Sequence, residues 1–195
     1  MAEGYQTEDE QVEALKKWWR ENGKSTVVSV VVAIVAVVGW QGWQKQQKAE
    51  IEAASAIYQN LVAASSGANG VVTEAQAATA NHLADTLKND FSSTTYARFA
   101  ALYKAKFAVE ADDLPAAEQE LRWVLDNGST PELILQARLR LARVLAAQQK
   151  YDEALAQLEE DAGGMPDQFE EVRGDIYLAS GDKAKALDAY QNALV

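Results

Sequence analysis

The hydrophobic pattern of this chain changes character once, near residue 44. From Thr26 to Trp43 the sequence TVVSVVVAIVAVVGWQGW runs for 18 residues without a charge. Its apolar positions cover every face of a helix, the pattern of a segment surrounded by lipid and not of a core helix with one apolar stripe. At ~1.5 Å per residue the run spans about 27 Å, close to the ~30 Å hydrocarbon core of a bilayer. Beyond Gln44 the apolar positions recur at helical intervals, and no run alternates as a half-buried strand would. The reading is therefore all-α: a tail at 1–25, a transmembrane helix at 26–43 and a soluble helical domain at 44–195.

Trp18 and Trp19 precede the apolar run and Trp40 and Trp43 close it, so four of the five Trp lie where amphipathic rings settle, at the two membrane interfaces. A cleaved signal peptide is the main rival, because the purely aliphatic part, Val27 to Val38, is within the length of a signal core. The preceding region is longer than most signal n-regions, no Ala-x-Ala follows, and the chain continues through Trp-Gln-Gly-Trp into a helix. These features favour an anchor that is retained. Lys16, Lys17, Arg20 and Lys24 stand before the run against Lys45 and Lys48 after it. By the positive-inside rule, which counts basic residues only, the N-terminus is expected in the cytoplasm and the domain across the membrane. Ser29, Ala33 and Ala36 form a stripe that would pack on a partner helix, or are the ordinary small residues of an aliphatic span.

The helical signal after Gln44 breaks at Ser65-Ser-Gly-Ala-Asn-Gly70, and Thr73 with Gln76 gives a capping-box start for a helix ending before Phe91. Internal similarity follows. With Ala105, Ala142 and Gly174 aligned as the small residue of a first helix, Ala117, Ala154 and Ala186 fall twelve residues later in a second helix, and Leu121, Leu158 and Tyr190 four beyond those. Leu141, Leu145, Tyr151 and Pro166 complete the second unit, and Tyr177, Gly181 and Ala193 the third. These are tetratricopeptide positions, where small residues let paired helices approach and large ones fill the gap. The units are 37 and 32 residues apart, not a strict ~34, while the internal pattern holds. Thr130-Pro131 supplies a cap and a first-turn Pro for the second unit. The expected array is short, about three to four helix pairs that must stack to bury their apolar faces. Val195 falls inside or just after the last helix, so a cap is expected from a partner or from further chain.

Composition narrows the function. The chain has 195 residues, 48% of them apolar, enough for one domain beside an anchor. There is no Cys, which excludes disulfides, thiolate metal sites and a cysteine nucleophile and leaves the redox compartment open. Of the net charge of −11, residues 1–43 carry −2 and the rest −9. That acidity argues against nucleic acid as a partner, since phosphates need a basic face. His82, the single His, stands between Asn81 and Leu83 in a helical stretch and reads as a surface residue more than a base or ligand. Glu159, Glu160 and Asp161, and Glu170 with Glu171, read as solvated helix faces without the companion ligands a metal needs. Gly181-Asp182-Lys183 is an interhelical turn and no phosphate loop, and Asn127-Gly128-Ser129, formally a sequon, reads as a helix-ending turn. No cofactor and no catalysis are expected.

What remains is surface. The first helix of each repeat lines the concave side, and the register places Phe99, Leu102, Lys106, Gln136, Leu139, Arg143, Gln168, Glu171 and Asp175 there as exposed positions. That mixture suits an extended or partly unfolded polypeptide. Phe99 and Leu102 are equally placed to be covered by the neighbouring pair.

The tail DEQVEALKKWWRENGK, the anchor ending GWQGW, the segment ASAIYQNL, then LRLARVLAAQQKYDEALAQL and VRGDIYLASGDKAKAL together resemble the YfgM family of bacterial inner-membrane proteins over nearly the whole chain. The repeat motifs are generic; the amphipathic tail before an anchor ending in Gly-Trp is more specific. The likeness departs at the C-terminus, where this chain ends slightly early. The resemblance implies an ancillary subunit of the SecYEG translocon, its repeats in the periplasm beside the membrane-bound peptidyl-prolyl isomerase PpiD, acting as a chaperone or adaptor for unfolded and newly translocated proteins. It also implies a role for the tail in holding back a stress-response regulator. Residues 11–20, with Val12, Leu15, Trp18 and Trp19 on one side, suit that role and equally suit an interfacial helix on membrane lipid. The alternative from another class is an envelope scaffold that organises cell-wall or division machinery through the same repeats.

Overall fold

The computed structural model describes residues 8–66, 72–127, 130–159 and 162–194, and every regular element among them is an α-helix. In chain order these are α1 Glu8–Ser65, α2 Glu74–Asp90, α3 Thr95–Glu110, α4 Leu114–Asp126, α5 Pro131–Ala147, α6 Tyr151–Ala156, α7 Pro166–Ser180 and α8 Lys183–Asn192. The chain divides into two compact units, residues 1–50 and 51–195, with the boundary inside α1.

The first unit is the greater part of α1. Its one window long and apolar enough to cross a membrane is exposed throughout: Val27, Val30, Ile34 and Val38, on successive turns, are each about half or more exposed. Side chains this apolar, left uncovered on all faces, match a lipid environment and would be an aggregation hazard in water. The indoles pair at the two ends, Trp18 with Trp19 at 6.4 Å between ring centroids and Trp40 with Trp43 at 5.1 Å. Along the helix Trp18 and Trp40 are about 33 Å apart at ~1.5 Å per residue, matching two interfaces around a ~30 Å core.

In the second unit, local chemistry sets where each helix starts. Thr73 and Gln76 make the reciprocal capping box of α2: Gln76 N–H donates to Thr73 Oγ1 at 3.3 Å and Thr73 N–H to Gln76 Oε1 at 2.9 Å. Asp113 and Asp182 cap α4 and α8 by accepting from the backbone N–H of Ala116 and Lys185, each at 3.1 Å. Pro131 and Pro166 open α5 and α7, where a missing N–H costs nothing. Thr130, expected as a side-chain cap, makes no such bond; the fixed φ of Pro131 starts α5 without it.

Consecutive helices pack as neighbours from α2 through α8, with α7 also touching α5. The aligned small positions are buried as the register requires: Ala105, Ala117, Ala142, Ala154 and Ala186 are all 3% exposed or less. At Gly174 the approach is closest. A Cβ there would stand 2.5 Å from Cε1 of Tyr190, so α7 and α8 pack at this distance only because the position has no side chain. Around these contacts Leu102 of α3 joins Leu121, Leu139, Leu141, Leu145, Leu158, Phe169, Val172 and Ile176 in one core from α3 to α7. Ala54 and Leu61 of α1 join Ala80, Ala84 and Leu87 of α2 and Ala100 and Phe107 of α3 in a second.

The repeat register extends into the turns. Asp112 (φ 58), Gln149 (φ 63) and Gly181 (φ 93) are left-handed, and each stands seven residues after its unit's small residue. The next residue closes the same bond in each unit: Asp113 N–H to Ala108 O at 2.8 Å, Lys150 N–H to Leu145 O at 2.9 Å and Asp182 N–H to Tyr177 O at 2.9 Å. Only the third turn uses Gly, which takes this conformation without a Cβ clash.

Two carboxylates on α4 tie it to both neighbours. Glu120, buried, receives Lys88 of α2 and, at 3.1 Å, Lys104 of α3, which also pairs with Asp85 at 2.5 Å. Lys88 lies over the Trp123 ring at 4.9 Å. Glu118 accepts from Lys150 at 2.9 Å, Arg122 at 2.8 Å and Gln148 at 2.9 Å. The hydrogen bond from Lys150, with those from Arg122 and Gln148, lowers its carboxyl from 4.5 to about 2.

Two outcomes follow from these geometries. Gln149→Gly should raise stability by about 0.5–1 kcal/mol in chemical denaturation, because release of the left-handed strain outweighs the added freedom of the unfolded chain. Since the Glu118 carboxyl is lowered on folding, its contribution is complete above pH 4.5 and disappears as pH falls toward about 2. The melting temperature should accordingly fall across that window, and Glu118→Gln should flatten the fall while lowering stability at pH 7.

Candidate functional site

The second unit carries an open cleft of about 840 Å³ between the first helices of two successive repeats, α3 and α5. On α3 the lining residues Phe99, Leu102, Tyr103, Lys106, Val109 and Glu110 recur every three or four positions, so one stripe of the helix faces the opening. The corresponding stripe of α5 is Leu133, Gln136, Arg140, Arg143, Val144 and Ala147. Leu114 and Leu121 of α4 and Tyr58 of α1 complete the lining.

The wall near α1 is aromatic. Tyr58 stands 5.4 Å from Tyr96, 5.6 Å from Phe99 and, edge-on, 6.1 Å from Tyr103, between centroids. Tyr103 continues to Phe107 at 6.2 Å, which joins the cleft wall to the core beneath it. Burial, with Tyr103 and Tyr96 close by, raises the Tyr58 phenol above its ordinary value, so it remains a neutral hydroxyl. The rim is charged: Lys106 pairs with Glu110 at 3.5 Å, and the exposed Arg140 and Arg143 lie across the opening on α5.

Of the residues expected from the repeat register, Phe99, Leu102, Lys106, Gln136 and Arg143 line this cleft. Leu102 is 9% exposed and belongs to its floor, while Phe99 is half-buried. Leu139 does not line it. It was expected to be exposed, but at 2% exposure it belongs to the core, because it shares a face with Leu135 and Ala142, both buried against the neighbouring helices. The residue one helical step on, Arg140, takes the place at the opening. Gln168, Glu171 and Asp175 are exposed on α7, outside the cleft lining, with Asp175 accepting from the Tyr190 hydroxyl at 2.8 Å. Register reasoning missed Tyr58, Tyr103 and Val109; the four-residue steps from Phe99 to Tyr103 and from Lys106 to Glu110 were the available signal. Tyr58 comes from outside the aligned repeats and left none.

The chemistry of the lining is that of binding. Aromatic faces and methyl groups take apolar side chains, and cations at the rim take carboxylates or backbone carbonyls. His82 is exposed on α2, away from the cleft. Glu170 is held by Arg173, which also donates to Leu158 O at 2.7 Å; Glu160 and Asp161 lie outside the described residues, as do Gly128 and Ser129 of the sequon-like turn. Among the described residues no three His, Asp or Glu side chains gather as a metal site.

Residues 16–195 match the family model of a tetratricopeptide repeat-like domain. The chain is 35% identical over 187 residues to a Haemophilus influenzae protein named ancillary SecYEG translocon subunit, covering 95% of this chain and 88% of that one. Proteins of the same name from Escherichia coli K12 and Neisseria gonorrhoeae are 34% and 27% identical, each over 96% of this chain and 87% of the relative. No solved structure matches. With matches that run through the anchor, the cleft helices and the last repeat alike, the chain belongs to the tetratricopeptide repeat-like family of ancillary SecYEG translocon subunits, the YfgM family.

Proposed function

We propose that this chain is a single-pass inner-membrane subunit of the SecYEG translocon whose repeat domain stands on the periplasmic side as a chaperone or adaptor for newly translocated proteins. The single observation that carries the reading is the likeness to the named translocon subunits along nearly the full length, the anchor included. The anchor tethers the domain beside the channel, and the basic flank of the apolar run supports a cytoplasmic N-terminus. Trp18, Trp19, Trp40 and Trp43 hold the helix at its depth in membrane lipid.

The cleft supports the chaperone side of the role. It is open, so a segment enters without threading, and its apolar lining binds the side chains that an emerging chain has not yet buried. Binding of that kind needs no catalytic group. The membrane-bound isomerase PpiD is the partner that would act on prolyl bonds in the held chain.

Site-specific photo-crosslinking in cells tests the reading, with probes in place of Arg143 and Val109 at the cleft and of Ala33 in the anchor. The expected products are channel subunits from Ala33 and translocating chains or the isomerase from the cleft positions. Crosslinks from all three positions solely to folded cell-wall or division proteins would replace the reading with an envelope scaffold.

A further inference from the structure

The charge at the cleft opposes the charge of the chain. The protein carries a net charge of −11, yet the rim of this apolar opening holds three cations, Lys106, Arg140 and Arg143, against one carboxylate, Glu110. Glu110 already belongs to Lys106 at 3.5 Å. Among the described residues neither Arg140 nor Arg143 has a carboxylate partner, although most other cations of the domain do: Lys88, Lys104, Arg122, Lys150, Arg173 and Lys185 are all in ion pairs. The two arginines are three positions apart on α5, hence on adjacent turns of one face, and both border the cleft. Guanidinium groups present planar pairs of N–H donors that match a carboxylate in a way a lysine does not.

We propose that the cleft selects polypeptide segments in which an aromatic or aliphatic residue is flanked by Asp or Glu, the apolar side chain entering between α3 and α5 and the carboxylates engaging Arg140 and Arg143. The inference deepens the chaperone reading above and rests on it for the kind of occupant, a polypeptide. It adds a preference: acidic unfolded segments over basic ones. The acidic remainder of the domain repels such a segment and so confines its binding to the cationic rim of the cleft.

Fluorescence anisotropy with the full chain in neutral detergent tests it, using three labelled 12-residue peptides that share the same Leu and Phe and differ in having Glu, Gln or Lys beside them. Exposed ion pairs at a rim are each modest, so the Glu peptide should bind about five- to tenfold more tightly than the Gln peptide at low salt, a margin that shrinks as salt is added. Arg140→Gln with Arg143→Gln should bring the Glu peptide down to the Gln level, and Arg140→Glu with Arg143→Glu should make the Lys peptide the tightest of the three. Equal binding of all three peptides, or a preference that survives both double variants, overturns the selectivity and leaves the chaperone reading standing. If no peptide binds while the chain still copurifies with channel subunits, the cleft occupant is wrong and the translocon assignment is intact. Binding of phosphatidylglycerol vesicles through the same two arginines, with no peptide competition, would overturn the proposal in favour of a lipid surface.

Discussion

Paired helices in this domain meet where one of them has almost no side chain, and the rest of the arrangement depends on that contact. An α-helix with one apolar stripe buries it only by coming within about 8–10 Å of another helix axis, and the nearest approaches need Ala or Gly at the crossing. Each hairpin carries a buried small residue on both of its helices, Ala105 and Ala117, Ala142 and Ala154, Gly174 and Ala186, and Tyr190 fills the space that Gly174 leaves. Each crossing fixes a hairpin. No hairpin covers its own outer face, so the pairs stack, and the core from α3 to α7 is continuous because of it.

Stacking by this route also produces the cleft. The second helix of one repeat, α4, packs between the first helices α3 and α5, and its carboxylates lock it in place: Glu120 toward Lys88 and Lys104, Glu118 toward Lys150, Arg122 and Gln148. The gap left between α3 and α5 is floored by Leu102, Ala105, Leu121 and Val144. A surface of that kind binds through many apolar contacts and a few charges at the edge. Under the proposed chaperone role, such a surface would hold many different chains weakly, with the anchor supplying the local concentration that weak binding needs.

Much of this was legible in the residues. The change from an all-round apolar run to a helical stripe separates two kinds of segment near residue 44, whereas the compact units divide at 50/51, because α1 runs unbroken from one into the other; the twelve-residue offset between small positions located three hairpins. The capping box at Thr73 and Gln76 and Pro131 marked helix starts correctly, whereas Pro166, read as the end of the second unit, opens α7. Other features were less accessible, for physical reasons. Leu139 and Arg140 are adjacent, and only the 100° between them decides which faces the core and which the opening; apolar character pointed to a groove where it meant burial. The left-handed turns at Asp112 and Gln149 went unseen because neither is Gly, although the third turn at Gly181 has the same register. Tyr58 reaches the cleft from a helix outside the aligned units, so no internal periodicity could name it.

On the proposed function, a translocating chain is held in the opening between α3 and α5. Hydrogen–deuterium exchange of the full chain, reconstituted with the SecYEG channel and compared with and without an arrested translocating protein, addresses it directly. The expected result is new protection concentrated on Phe99–Glu110 and Leu133–Ala147, with α7 and α8 unchanged. Protection confined to α7 and α8, or none anywhere in the second unit, would contradict it.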